Sequence, residues 1–361
     1  MRKNLFATTP GIIIVGAVIG LIAVWLQKLG NPANMGICVA CFERDVAGGL
    51  GLHRAAIVQY LRPEIMGLVL GSLAAAIATR EFKPRGGSAP IVRFVLGMIA
   101  AMGALVFLGC PWRAILRLAG GDGNAILGLA GLATGIWFGT LFFKKGYSLG
   151  RSNSQSVVSG ALFPVIAVCL LLLYLIFPQI PDQPQSGPLF YSVKGPGSQH
   201  APFIASLGLA FIIGIFAQRS RFCTMGAFRD LFLFRYTHLF LGLAAMFAAA
   251  FIANALTGGL KFGFEGQPVA HSDFLWNYLG MVTAGLAFAL AGGCPGRQLF
   301  MAGEGDSDAG IFALGMLVGA AMAHNLGTAS SGTGIGVYGM QATLLGFAVC
   351  LIIGFVHSKK A

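Results

Sequence analysis

The amino-acid sequence predicts an all-α polytopic membrane protein of about nine to ten transmembrane helices, built as two inverted repeats with membrane-dipping re-entrant loops. Three observations carry this expectation. Only 10% of the 361 residues are charged while 56% are hydrophobic, against roughly 25% charged in an ordinary soluble domain. Apolar runs close to the roughly 17 to 25 residues that cross a bilayer recur along the whole chain. One phrase also occurs twice, as "FLGCPWRAILRLAGGDGNA" from Phe107 to Ala125 and as "LAGGCPGRQLFMAGEGDSDA" from Leu290 to Ala309.

The first candidate span, 11–28, follows a basic start at Arg2 and Lys3. No small-residue cleavage site precedes Gln27 and Lys28, so it reads as a retained span and not as a removed signal. Further spans fall at 64–79, 91–108, 125–143, 157–177, 203–216, 237–256, 276–291, 309–323 and 341–356. The longest polar break, Pro178 to Pro202, is rich in Pro and Gly and reads as an exterior linker. It divides the chain into a first repeat (1–177), the linker (178–202) and a second, inverted repeat (203–361).

The halves can be compared with each other. "GICVACFERD" (Gly36 to Asp45) matches "RFCTMGAFRD" (Arg221 to Asp230), pairing Cys38 with Cys223, Arg44 with Arg229 and Asp45 with Asp230. The doubled phrase pairs Cys110 with Cys294, Arg113 with Arg297 and Asp122 with Asp306. The two offsets, 185 and 184, agree within one residue. Five spans per half leave the second copy upside down. Loops on the N-terminal side hold 16 of the Lys and Arg residues against 8 on the other, which predicts that both termini are cytoplasmic. Four of those 8 lie between the first two spans, as they can if part of that loop folds back into the membrane.

Inverted repeats with Gly- and Pro-interrupted segments at matching positions point to a transporter whose site lies where the repeats meet. Pro after Cys110 and after Cys294 places each thiol at the N-cap of a short helix, since Pro is favoured at the first helical position. Helix N-termini favour anions, and irregular backbone at membrane depth survives only inside protein or along a cavity. Sulfur lining such a path suits a soft, sulfur- or selenium-bearing anion, carried past neutral thiols because a thiolate would repel it. The expected path has Cys110 and Cys294 as its central pair, Cys38 at the outer mouth and Cys223 at the inner. Arg113 and Arg297 supply the positive field, with Cys41, Arg44 and Arg229 as lesser candidates. Arg44–Asp45 and Arg229–Asp230 read first as neutralising pairs at the re-entrant turns. Cys169 and Cys350 read as small buried hydrophobes, and among the scattered histidines His324 is the pocket candidate.

At these residues the chain resembles the YeeE/YedE family of bacterial inner-membrane proteins, most of all its selenium-associated YedE type. The resemblance runs through the twin "GCP" phrases, "RFCTMGAFRD" and the repeat. It implies an hourglass of membrane-dipping loops, import of thiosulfate or a selenium analogue by S–H···S contacts between cysteines, and a small cytoplasmic TusA-like sulfur-carrier partner. No enzymatic activity and no cofactor is expected.

Other classes fit less well. The net charge of +12 follows from positive charge gathered on one membrane side, and no compact basic domain exists to bind nucleic acid. "CVAC" at Cys38 and Cys41 admits a membrane thiol-disulfide oxidoreductase or sulfurtransferase, but it lacks a βαβ context. No second pair completes a metal site. "TASSGTGIGVYG" lacks the GK[ST] of a phosphate loop. All 12 acidic residues fall at span ends or in loops, which weighs against a cation carrier.

Overall fold

The computed structural model describes residues 5–358. The protein is an all-α polytopic membrane protein. Its first half contains α1 (Thr9–Lys28), α2 (Val39–Gly49), α3 (Pro63–Ala78), α4 (Pro90–Phe107), α5 (Pro111–Ala119), α6 (Asn124–Lys144) and α7 (Val157–Ile176). Its second contains α8 (Phe203–Ser220), α9 (Thr224–Phe234), α10 (His238–Leu256), α11 (Phe274–Ala291), α12 (Pro295–Gly303), α13 (Ser307–Asn325) and α14 (Gly339–Val356). Among the described residues nine helical stretches are long and apolar enough to cross a membrane, and α3 is a shorter apolar helix. Each of the ten expected spans coincides with one of the long helices or with α3, to within a few residues at either end.

Proline sets several starts: α1, α3, α4, α5 and α12 all carry it in their first turn, where its missing N–H removes no helical bond. The turn after α4 is made by Leu108 in the left-handed region, at φ 63°. Gly292 plays that part after α11, at φ 87°, so α5 and α12 each begin after an abrupt stop.

The long helices pair across the halves. α1 lies on α10 and α3 on α8, while α4 lies on α13 and α6 on α11. Exchanging each helix of one half for its counterpart in the other turns these pairs into one another. Small residues let the backbones meet, as helices in lipid require. Gly16 and Gly20 abut Gly242 and Met246, and Gly67 and Gly71 abut Leu207 and Phe211. Gly315 and Gly319 abut Phe94 and Met98, and Gly131 and Gly135 abut Tyr278 and Val282. Residue numbers rise together in every case, so all four pairs are parallel. The last helices break the exchange: α7 packs on α3, whereas α14 packs on α11 and α4. Both turn large aliphatics outward, among them Leu162, Leu172, Leu345 and Ile352, which is the surface a lipid environment demands.

Of the four short helices, α2, α5 and α12 are held inside this frame, and α9 enters it by its first four residues. At 9 or 11 residues each, they span about 14 to 17 Å at 1.5 Å per residue, roughly half of a bilayer core. The Gly-rich turns that follow α5 and α12 are each clasped by a loop from the other half. Lys261 N donates to Gly120 O and Gly123 N to Gly263 O, while Lys83 N donates to Glu304 O and Arg85 N to Gly305 O. The Pro- and Gly-rich segment between the halves is packed rather than loose. Arg62 donates to the carbonyls of Pro196 and Gln199, and Tyr191, Ser192 and Ala201 are buried.

At Gly16 a β-carbon would run into the Gly242 carbonyl, whereas at Gly208 it would meet nothing. Overpacking costs about 1–3 kcal/mol or more. Gly16→Leu is therefore expected to lower the melting temperature of the detergent-solubilised protein by several degrees, with Gly208→Leu near wild type.

Candidate functional site

All four repeated cysteines are N-caps. Cys38 precedes α2, Cys110 precedes α5, Cys223 precedes α9 and Cys294 precedes α12. An N-cap side chain ordinarily offers oxygen to one of the orphan N–H groups of the first turn. Here sulfur does so: Cys38 Sγ accepts from Cys41 N at 3.4 Å, and Cys223 Sγ from Gly226 N at 3.3 Å. Cys110 and Cys294 make no such capping bond.

The caps meet in two groups. Cys38 Sγ also accepts from Cys110 N at 3.5 Å, so Cys38 and Cys110 are neighbours. Cys41 joins them, with its Sγ 3.4 Å from Arg113 Nη1. In the other half the Cys223 and Cys294 sulfurs are 3.8 Å apart. All five are buried, Cys223 the least so at 6% exposure. Cys169 is exposed on α7 and Cys350 is buried in α14, away from both groups. Among the described residues no cluster of three or more His, Cys, Asp or Glu could hold a metal ion. A large cavity of about 930 Å³ is an apolar recess between α4, α13 and α14, and none of these cysteines lines it.

The two matched arginines have different surroundings. Arg113 is fully buried. It donates to the carbonyls of Asn34 (3.3 Å), Pro268 (3.3 Å), Val269 (3.0 Å) and Leu108. Among the described residues it pairs with no carboxylate, so its charge stands uncompensated beside Cys41. Arg297 instead donates to Glu304 at 3.2 Å, and the same carboxylate takes Arg221 at 2.6 Å and faces Arg85 at 3.5 Å. Arg44 pairs with Asp45 at 2.7 Å, and Arg62 reaches that carboxylate at 2.8 Å, all buried. The matching Arg229–Asp230 pair, at 2.8 Å, is partly exposed.

The acidic residues lie at span ends, in connections and in the dipping helix, yet several are not exposed. Glu43, Asp45, Glu64 and Asp122 are buried. Glu64 accepts from Asn31 at 2.7 Å and Asp122 from Arg117 at 2.6 Å. His324 packs on His53, with ring centres 4.6 Å apart and planes tilted by 31°, and lines no thiol group.

Sequence reasoning passed over Trp112. Its indole, 1% exposed, meets Phe222 edge-on at 5.7 Å and Phe300 at 5.9 Å. A β-carbon on Gly296 would sit 3.1 Å from the ring. Trp112 and Gly296 occupy the same place in the doubled phrase, so the large residue of one copy fills the space left by the other. That mismatch within otherwise matched phrases was the available signal. Thr224 Oγ1 and Gln298 Oε1, next to the second thiol pair in sequence, are buried without a hydrogen-bond partner.

These features define a multi-pass membrane protein whose broken helices present thiol-bearing N-termini inside the helical frame. Residues 219–345, from the end of α8 into α14, match the protein family described as Sulphur transport. The thiosulfate transporter TsuA of Spirochaeta thermophila is 32% identical over 106 residues, covering 29% of this chain and 32% of that protein. The aligned stretch thus spans about a third of the relative. The matched residues lie in the second half and include "RFCTMGAFRD" from Arg221 and the second "GCP" phrase.

Arg113→Met orphans two buried carbonyls, of Asn34 and Leu108, at about 1–3 kcal/mol each, and two half-buried ones, of Pro268 and Val269. It is expected to lower thermal stability in detergent well beyond Arg297→Met, whose loss leaves Glu304 with Arg221. A second outcome concerns Glu81, in the connection after α3. Burial works against its ionisation, but bonds from Gln218, Arg219 and Arg221 outweigh it and hold the carboxyl below its ordinary value of 4.5. A depressed folded value stabilises above the unfolded one and fades as pH falls through it. The melting temperature in detergent should therefore drop on acidification below about that value, and less steeply in Glu81→Gln.

Proposed function

We propose that the protein carries a small sulfur-containing anion of the thiosulfate type across the membrane, with no enzymatic turnover, along the path marked by Cys38, Cys110, Cys294 and Cys223. The observation that carries this reading is the convergence of four cysteine-capped helix N-termini in two groups. Aligned N–H groups favour an anion, while a polarisable thiol suits a sulfur atom better than a hard oxyanion. Arg113 adds an unpaired positive charge at the first group, whereas Arg297 acts behind Glu304. The family and the TsuA relative support the same substrate class.

The parallel helix pairs support two inverted halves. α1 and α3 are consecutive crossings joined through the dipping α2, so they run in opposite senses. α10, the counterpart of α3, runs with α1, which reverses the second half. Together with the charge bias, this supports termini in the cytoplasm of a bacterial cell, with the Cys38 and Cys110 turns entering from outside and the Cys223 and Cys294 turns from inside, where a TusA-like carrier would receive the cargo. Thiols treat sulfur and selenium alike in softness, so a selenium analogue shares the path. The redox alternative gains nothing from Cys38 and Cys41, which are fully buried, with Cys38 Sγ occupied by two backbone N–H groups.

Radiolabelled thiosulfate uptake by cells lacking their own importers tests this, with selenite and selenosulfate as competitors. Cys110→Ala and Cys294→Ala should each reduce uptake at least about tenfold, the scale of one hydrogen bond to a charged group, at unchanged membrane levels. Uptake at the wild-type rate in both variants would overturn the proposed path.

A further inference from the structure

A buried indole normally finds an acceptor for its N–H, and buried polar groups without partners are few in a native protein. Trp112 Nε1 is buried and has none. Its position makes this informative. The residue lies two places after Cys110, in the first turn of α5. Its ring reaches away from that half and lodges against Phe222, Gly296 and Phe300. Phe222 immediately precedes Cys223, and Gly296 follows Cys294 by two residues. One side chain therefore extends from one thiol group to the other.

The packing is one-sided. Gly296 holds the counterpart position in the second phrase, and a β-carbon there would sit 3.1 Å from the indole. The two phrases therefore meet there through one large side chain and not through two symmetric ones. A single aromatic side chain moves by rotation about two bonds, and it needs no displacement of the surrounding long helices.

We propose that Trp112 is the barrier between the two thiol groups and, through its unpartnered N–H, the donor that receives the anion as it passes from one to the other. This deepens the transport reading and rests on it for the identity of the anion. An indole N–H is a donor only, so it discriminates against cations while leaving the thiols free. When the ring turns toward an anion held at Cys110, its N–H gains the partner it lacks in the closed arrangement. The cost of the orphaned donor is then relieved only when substrate is present, which favours opening with cargo over opening without it.

Two arms test this in proteoliposomes. In the first, thiosulfate uptake is compared between wild type and Trp112→Phe, which keeps a ring and removes the N–H. Uptake at limiting thiosulfate should fall at least about tenfold, the scale of a hydrogen bond to a charged group. Uptake equal to wild type would overturn the donor role. In the second, a form keeping only Cys294 is exposed to a membrane-impermeant maleimide from the side of the Cys38 and Cys110 turns. Trp112→Ala should raise the labelling rate at least about tenfold, while Trp112→Phe stays near the parent. Labelling unchanged by Trp112→Ala would overturn the barrier role whatever the cargo. If wild type takes up no thiosulfate, the thiosulfate reading falls and the labelling arm alone decides the barrier.

Discussion

Every backbone N–H and C=O at membrane depth must find a partner within the protein, because lipid offers none. This protein interrupts its helices four times and so creates four sets of orphan N–H groups where they are hardest to satisfy. Much of the remaining architecture answers that constraint. Long helices pair tightly, glycine to backbone, and form a frame around the short ones. The loops that clasp the turns after α5 and α12 come from the opposite half, and sulfur caps two of the four N-termini.

The pseudo-symmetry is a matter of backbone more than of charge. The helix pairs exchange faithfully between halves, yet Arg113 sits among carbonyls while Arg297 shares Glu304 with Arg85 and Arg221. Asp45 is sealed between two arginines, and Asp230 meets one at a partly exposed surface. Duplicated scaffolds need only conserve the contacts that define the crossing of their helices. Side chains away from those crossings are free to diverge.

The spans were legible because membrane segments announce themselves one at a time: an apolar run bounded by Pro, Gly or charge is a local signal, and all ten expected spans coincide with helices. The N-caps at Cys110 and Cys294 were legible for the same reason, from the Pro that follows each. Other features depended on distant residues. That Cys38 lies beside Cys110, and that Cys38 and Cys223 are caps too, depends on where α2 and α9 dock. The contrast between Arg113 and Arg297 depends on Arg85 and Arg221, which belong to other segments. The burial of Glu43 and Glu64 was hidden because position at a span end says nothing about which side of a bundle that end faces.

The exchange of partners between halves also has a consequence for biosynthesis. α1, α3, α4 and α6 each find their tightest neighbour in α10, α8, α13 and α11, none of which exists when the first half leaves the ribosome. That half enters the bilayer with its glycine faces bare and its dipping helices unclasped. It cannot settle until the chain has been made as far as α13, which ends at Asn325. The nascent chain therefore needs shelter in the membrane for the whole of that interval, and a truncated product has no stable partial fold to fall back on.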